Sequence, residues 1–384
     1  MARLLFLIAD TGGGHRAAAS AVARQLEAQS PGQHDIRIVD PFAEAAPKFV
    51  ARTAELYGPL TRRAAWGWGA LYYATNSRTA VAAIEGSALR LVDRGITRCA
   101  TPAPAAIVSF HPLLNHPAVR VARRLRPRPP VMTVITDLVD VHASWACAGV
   151  DAVVTPSPGG WDRCRRAGIP ADRCFEIGLA VDPAYAQPPP GPEERSRLRE
   201  QLGLSPGRFV VLLCGGADGS GGIPRRARAL AAAGLDIDLA VICGRNSGCL
   251  AKLHGLVDHS GHLVPVHGFV DNMRDWFRAA DVVATKAGPS TIAESLCCGV
   301  PLLLTFYLPG QERGNVEWVV DSGAGRYVPF TGQLVDAVAE LATPSSPAYA
   351  RMRATVRELA RPEATARIAD LIERVAAAGS TIPA

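Results

Sequence analysis

The sequence predicts an α/β protein of two Rossmann-like domains, and three observations carry that reading. At the amino end an apolar strand runs into a glycine turn and then an Ala-rich helix, LLFLIADTGGGHRAAA. The same order of strand, glycine turn and helix recurs in the second half as FVVLLCGGADGSGGIPRRARAL. Between them stands one stiff, proline-rich stretch, PAYAQPPPGPEE, from Pro183 to Glu194. A chain of 384 residues is too long for one ordinary core and fits two. With 48% apolar and 20% charged residues it has enough apolar side chain to fill both.

The elements follow in order. Leu4 to Ala9 is apolar at every position, as a parallel strand covered on both faces must be. Gly12, Gly13 and Gly14 make the turn, and Ala17 to Gln29 make the helix. Ile36 to Val39 is the next strand. Lys48 to Arg98 has no strand pattern and reads as helices, carrying Tyr57, Trp66, Trp68, Tyr72 and Tyr73 among Arg52, Arg62, Arg63 and Arg78. Ala105 to Ser109, Val131 to Thr136 and Ala152 to Thr155 continue the strands. Beyond the linker come the strand Phe209 to Cys214, a helix from Pro224 to Ala233, and the strand Leu239 to Cys243. Val264 to His267, Val282 to Ala284 and Pro301 to Thr305 complete the second series. The tail after Gln333 reads as helices. The expected division is 1–182, a linker 183–195, a second domain 196–345, and helices 346–384 packing back on the first domain.

Composition narrows the function. The net charge of +6 is too small to argue for nucleic acid, and suits a phosphate-bearing ligand or an anionic membrane. The nine cysteines are odd in number and form no CxxC or zinc ribbon, so reduced thiols in a cytoplasmic protein are expected. MARLLFLIAD lacks the cleavage site of a signal peptide, and no uncharged run approaches the ~18 residues of a membrane span. Neither glycine turn meets GxGxxG with a well-spaced acid, and GxxxxGK[ST] is absent. Nicotinamide dinucleotide and P-loop chemistry therefore fit poorly.

The segment from His267 to Val319 is the most informative. Thr285 to Ser290 turns from a strand into a helix whose free N–H groups suit phosphate oxygens. Glu294 either accepts the hydroxyls of a ribose or complements the helix dipole. The strand Pro301 to Thr305 leads into LPGQERGN, placing Gln311, Glu312 and Asn315 at the end of a strand where ligands of open α/β sheets sit. Such amides and carboxylates suit a sugar, or an ordinary polar loop. Asp236 and Asp238 lead into a strand and read as strand-edge residues. His254, His259, His262 and His267 match no zinc spacing.

These segments resemble the monogalactosyldiacylglycerol synthase and processive diacylglycerol glucosyltransferase family, relatives of the N-acetylglucosaminyltransferase that finishes the peptidoglycan lipid precursor. DTGGGHRA, SFHPL, ITDLVDVHASW, VICGRN, GFVDNM, TKAGPSTIAES and PGQERGN carry the likeness in order along most of the chain. It departs at Ala217 and Asp218, where plant members are richer in glycine, at Ser290, where they have Gly, and at Glu312 to Asn315, where they read Glu-Ala-Gly-Asn. The resemblance implies a GT-B glycosyltransferase, two Rossmann-like domains facing a cleft, with the lipid acceptor on the first and a UDP-sugar on the second. Glu294 would then hold the ribose, and Ser290 and Thr291 the diphosphate, approached closely by Gly215 and Gly216. Phe269 and Val270 would flank the uracil, and Gln311 and Glu312 the sugar hydroxyls.

Inverting transfer needs a base for the acceptor hydroxyl, and a histidine of near-neutral pKa suits it. His15 is that candidate, with Gly13 and Gly14 letting the acceptor approach the backbone. Asp137 and Asp140 are rival bases, Asp10 is expected to orient His15 or hold its loop, and His111 to line the acceptor side. Helix ends with Lys286 or Arg245 would meet the departing diphosphate without a metal, and no cofactor is expected. The aromatic and Arg stretch 48–98, with Arg120, Arg123, Arg124, Arg126 and Arg128, is expected to meet diacylglycerol at an anionic membrane on the cytoplasmic face. Transfer to a polyprenyl-linked acceptor, a UDP-sugar 2-epimerase and a non-catalytic binder remain as alternatives.

Overall fold

The computed structural model describes residues 1–10, 13–45, 65–86 and 90–379. Its contacts divide the chain into two compact units. The first comprises Met1–Pro183, Leu308–Gln311 and Pro362–Ala384, and the second Ala184–Tyr307 and Glu312–Arg361.

The first unit holds a six-stranded parallel sheet: β1 (Ala2–Leu7), β2 (His34–Val39), β3 (Ala106–Ser109), β4 (Val131–Val134), β5 (Ala152–Thr155) and β6 (Cys174–Glu176). Their order is β2-β1-β3-β4-β5-β6. Alternation along β1 explains its unbroken apolar sequence. Leu4, Phe6 and Ile8 pack under the helices Gly14–Gln29 and Ala364–Ala378. Leu5 and Leu7 pack on the other face with Val92, Ile96, Ala118 and Trp145. Each fully buried Leu or Phe contributes roughly 1.5–3 kcal/mol relative to exposure.

The second unit repeats the plan with β7 (Phe209–Cys214), β8 (Ile237–Ile242), β9 (Val266–His267), β10 (Val282–Lys286), β11 (Leu302–Phe306) and β12 (Gly325–Tyr327). The order is β12-β11-β10-β7-β8-β9. Asp281 anchors the amino ends of this sheet. Its carboxylate accepts from Arg195 (2.7 Å), Arg199 (2.6 Å), the Val210 amide (2.7 Å) and the Tyr349 hydroxyl (3.2 Å). In each sheet the strand order reverses once, between β1 and β3 and between β7 and β10. Ligands of open α/β sheets bind beyond the carboxyl ends of strands at such a reversal.

Several boundaries differ from the sequence reading. β6 and β12 are additional three-residue edge strands, CFE and GRY, too short and too polar to read as buried runs. The first helix starts at Gly14, so His15 lies in its first turn. Within the proline-rich stretch Pro183–Ala186 forms a 3-10 turn, and a helix begins at Pro192. The tail divides: helix Pro347–Leu359 belongs to the second unit and helix Ala364–Ala378 to the first. The described part of 48–98 holds three helices, Ala65–Thr75, Arg78–Gly86 and Arg90–Cys99. Lys48, Arg52, Tyr57, Arg62 and Arg63 lie outside the described residues. All nine cysteines are free thiols. Among the described residues no helix is long and apolar enough to cross a membrane.

Candidate active site

In the first unit the chain leaves β1 through Gly13, whose φ of 81° needs glycine, and enters helix Gly14–Gln29 at an end that no side chain caps. That delivers His15 to one side of the reversal, and β3 delivers His111 to the other. Their rings meet edge-on, 4.7 Å apart. Thr136, just past β4, places its Oγ1 2.9 Å from His15 Nδ1, and the Trp145 ring lies 6.2 Å away. Desolvation pushes the His15 pKa down to about 4, opposed in part by a hydrogen bond to the Phe110 backbone. His111 is held well below the ordinary value by burial and then by His15. Both rings are therefore neutral at pH 7; His15 keeps its lone pair, although its pKa lies below the near-neutral value expected of the base. His111 Nδ1 accepts the Leu113 amide at 3.4 Å, capping the short turn Pro112–Leu114.

Asp10 turns to Arg16, which donates to both its oxygens at 2.7 Å and lowers its pKa. Of the two expected roles, this geometry fits holding the loop. Asp137 is buried, its Oδ2 accepting from Trp145 Nε1 (2.7 Å) and its Oδ1 from Gln311 Nε2 (3.3 Å). The Asp140 carbonyl accepts from the Tyr72 hydroxyl at 2.7 Å. The loop carrying Gln311 fits closely. A Cβ on Gly69 would stand 2.8 Å from Pro309 Cβ, and one on Gly310, whose φ is +86°, 2.9 Å from the Tyr72 ring.

In the second unit the reversal gathers the expected donor residues. β7 opens into Gly215 and Gly216; a Cβ on Gly215 would overlap the Ser220 carbonyl, and one on Gly216 would stand 3.3 Å from Lys286 Cε. β10 ends at Lys286, and helix Pro289–Cys297 follows with Gly288 at its cap and no side-chain cap bond. Pro289 lacks an N–H, so the amides of Ser290 and Thr291 are the open donors at that end. Glu294, one turn further on, lies close enough to Cys214 to help raise its thiol, which burial above all pushes up to about 11. The Arg245 guanidinium stacks over Phe269, 4.7 Å from its ring, and Phe269 is 54% exposed. Val270 beside it is half-buried.

Two residues expected at the sugar are tied into this scaffold. Glu312 is buried and ion-paired with Lys286 Nζ. Asn315 donates to the Ala287 carbonyl (2.9 Å), bracing the turn between β10 and the helix. Sequence reasoning placed Tyr72 among the membrane-facing aromatics, whereas it is buried, and it missed Thr136 and Trp145, and also Arg226, which donates to the carbonyls of Gly221, Thr305 (2.9 Å) and Pro329 (2.9 Å) and so braces the glycine turn. In a chain this rich in Arg, only the fold distinguishes that one.

Other expectations meet ordinary partners. Asp236 and Asp238 both pair with Arg208 at the strand edge. Among the described residues no three His, Cys, Asp or Glu side chains converge as metal ligands. In the basic stretch 120–128, Arg120 and Arg124 share Asp93, and Arg128 pairs with Asp151; two carboxylates among five arginines leave it basic.

Residues 15–181 match the family described as monogalactosyldiacylglycerol (MGDG) synthase, and residues 210–375 the glycosyltransferase family 28 C-terminal domain. Monogalactosyldiacylglycerol synthase 1, chloroplastic, of Arabidopsis thaliana is 33% identical over 381 residues, covering 95% of this chain and 69% of that protein. The crystal structure of Acinetobacter baumannii MurG superposes with a TM-score of 0.56 at 16% identity, covering 97% of this chain and 99% of that one. A UDP-GlcNAc 2-epimerase from Neisseria meningitidis, bound to UDP-GlcNAc, superposes with a TM-score of 0.61 at 13% identity, covering 97% and 99%. At such identities the structures speak for the GT-B fold alone. With both sheets accounted for and one third of its residues shared with a synthase along nearly its whole length, the chain belongs to the monogalactosyldiacylglycerol synthase family of glycosyltransferases.

Proposed function

We propose that this protein transfers a hexose from a UDP-hexose to the hydroxyl of diacylglycerol, with inversion, at a membrane surface. The relatives' name makes galactose the first sugar to test. The observation that carries the donor half is the uncapped helix start at Ser290 and Thr291, with Lys286 beside it and the Gly215–Gly216 turn against Lys286.

The chemistry follows from the residues. Thr136 Oγ1 engages His15 Nδ1, and in the tautomer that carries its proton on Nδ1 the lone pair of Nε2 is free. Nε2 takes the proton of the acceptor hydroxyl as its oxygen bonds to the anomeric carbon and the bond to the β-phosphate breaks. The electron pair leaves with UDP. The Ser290 and Thr291 amides and Lys286 meet that charge, in place of a metal or other cofactor. Gly215 and Gly216 admit the diphosphate to the backbone. Glu294 accepts the ribose hydroxyls, and Phe269 and Val270 flank the uracil, with Arg245 stacked on Phe269. Gln311 contacts the sugar, while Glu312 and Asn315 act through Lys286 and the Ala287 carbonyl. Gly13, Gly14 and His111 line the acceptor side.

Membrane contact is part of the proposal, at the cytoplasmic face where UDP-sugars are found. Leu71 and Tyr73, on helix Ala65–Thr75, are 53% and 60% exposed. A large apolar side chain next to an amphipathic aromatic suits the headgroup level. Leu71→Asp with Tyr73→Asp is expected to lower sedimentation with diacylglycerol and anionic phospholipid vesicles by about tenfold. Unchanged sedimentation would move the contact elsewhere.

The deciding experiment supplies diacylglycerol vesicles and, separately, each common UDP-hexose and UDP-N-acetylhexosamine in the presence of a chelator. Galactolipid of inverted anomeric configuration is expected. Release of UDP without glycolipid would favour another acceptor, such as a polyprenyl-linked one. Interconversion of UDP-sugars would favour the epimerase reading.

A further inference from the structure

Asp137 has two candidate jobs, proton acceptor and holder, and the geometry separates them. It follows β4, is 6% exposed, and has a donor on each oxygen. Trp145 Nε1 donates to Oδ2 at 2.7 Å, from an indole that is wholly buried and so has no water to turn to. Gln311 Nε2 donates to Oδ1 at 3.3 Å. An indole N–H and an amide NH₂ are both donors, so a group between them must accept on both sides, as an ionised carboxylate does.

The same bond orients Gln311. A primary amide has one donating end and one accepting end. With its nitrogen on Asp137, the Gln311 Oε1 points away, is buried, and meets no donor among the described residues. The loop beneath it has little freedom, since Pro309 abuts Gly69 and Gly310 abuts the Tyr72 ring. Three successive residues thus set where Oε1 sits. A buried acceptor with no donor is unfavourable, and a hydroxyl brought by a ligand would satisfy it.

We infer that Asp137 is a positioning residue, which clamps the Gln311 amide so that Oε1 receives a hydroxyl of the donor sugar, and that it does not take the acceptor's proton. This rests on the glycosyl transfer proposed above.

The test exchanges the two groups. In Asp137→Asn the new NH₂ opposes a donor unless the Gln311 amide turns over, which takes Oε1 away from the sugar. In Gln311→Glu two carboxylates face each other. Each single variant is expected to lose about 10²-fold in kcat/KM for UDP-hexose through misplacement of the sugar. Combining Asp137→Asn with Gln311→Glu restores every pairing. The amide oxygen at 137 accepts from Trp145, its nitrogen donates to the carboxylate at 311, and that carboxylate still offers an outward acceptor. The double variant is expected to return to within about tenfold of wild type. Asp137→Asn with Trp145→Phe is a second route, because without the indole donor the amide can turn its oxygen to Gln311. Recovery in either double variant supports the clamp, since an amide is no base. Two doubles as inactive as Asp137→Asn, or unable to fold, overturn it. A wild-type enzyme silent with every UDP-hexose would instead refute the proposed function.

Discussion

His15→Ala is expected to lower kcat by about 10²–10⁴-fold, the usual contribution of a positioned general base, while affinity for UDP stays near that of wild type. The expectation comes from the ring's surroundings. Thr136 sets its orientation at 2.9 Å, and burial with a pKa near 4 keeps it unprotonated in neutral solution. His15→Gln keeps the size and a hydrogen bond but has no lone pair of comparable basicity, and should be as inactive. Single-turnover transfer with UDP titration in parallel separates the two quantities. A His15→Gln variant with more than a tenth of wild-type kcat would remove His15 as the base. The pH dependence has a definite sign. The unfolded chain takes up a proton on His15 near 6.5, the folded chain only near 4. This histidine therefore contributes stability that is present above pH 6.5 and is lost as pH falls toward 4. The denaturation midpoint of His15→Ala should fall less steeply than that of wild type across that window.

Lys286→Met is expected to weaken UDP binding and to destabilise the fold by about 3–5 kcal/mol, the usual result of removing one partner of a buried ion pair. The Glu312 side chain is only 3% exposed, and Lys286 is a cation paired with it. The two effects have different sources. Stability falls because a buried carboxylate loses its countercharge. Binding falls because the ammonium beside Gly216 and the Ser290 helix start is gone. Lys286→Met with Glu312→Gln should therefore regain most of the stability and none of the UDP affinity. Urea unfolding and calorimetric UDP titration of both variants measure this. Equal UDP affinity in wild type and Lys286→Met would place the diphosphate elsewhere.

The parts of this protein readable from sequence are those whose physics is local. A central parallel strand is apolar on both faces, so β1, β5 and β7 stand out as unbroken apolar runs. A glycine turn after such a strand marks the ligand end of the sheet, which is why His15, Gly215 and Ser290 could be singled out. The three-residue edge strands CFE and GRY have no such signature, and β6 and β12 were missed for that reason. Partners are harder still. Asp137 and Gln311 are 174 residues apart, and Lys286 and Glu312 are 26 apart. Residue type suggested a sugar-binding carboxylate at 312, while the lysine that engages it is visible only once β10 and the loop after β11 are folded. The arginines at 120, 124 and 128 teach the same point in reverse, since Asp93 and Asp151, distant in sequence, pair with them.

Helix Ala364–Ala378 closes one face of the first sheet, with Ile368, Leu371, Ile372 and Val375 fully enclosed against the core that contains Leu4 and Phe6. On the ribosome the part of that face not covered by helix Gly14–Gln29 stays open while the whole second unit is being made. The first unit therefore cannot complete its core in the order of its synthesis. It must wait, as an incomplete and sticky intermediate, for helix Ala364–Ala378 to emerge. The second unit lacks this dependence and can finish first, so assembly of the nascent chain runs against the direction of translation.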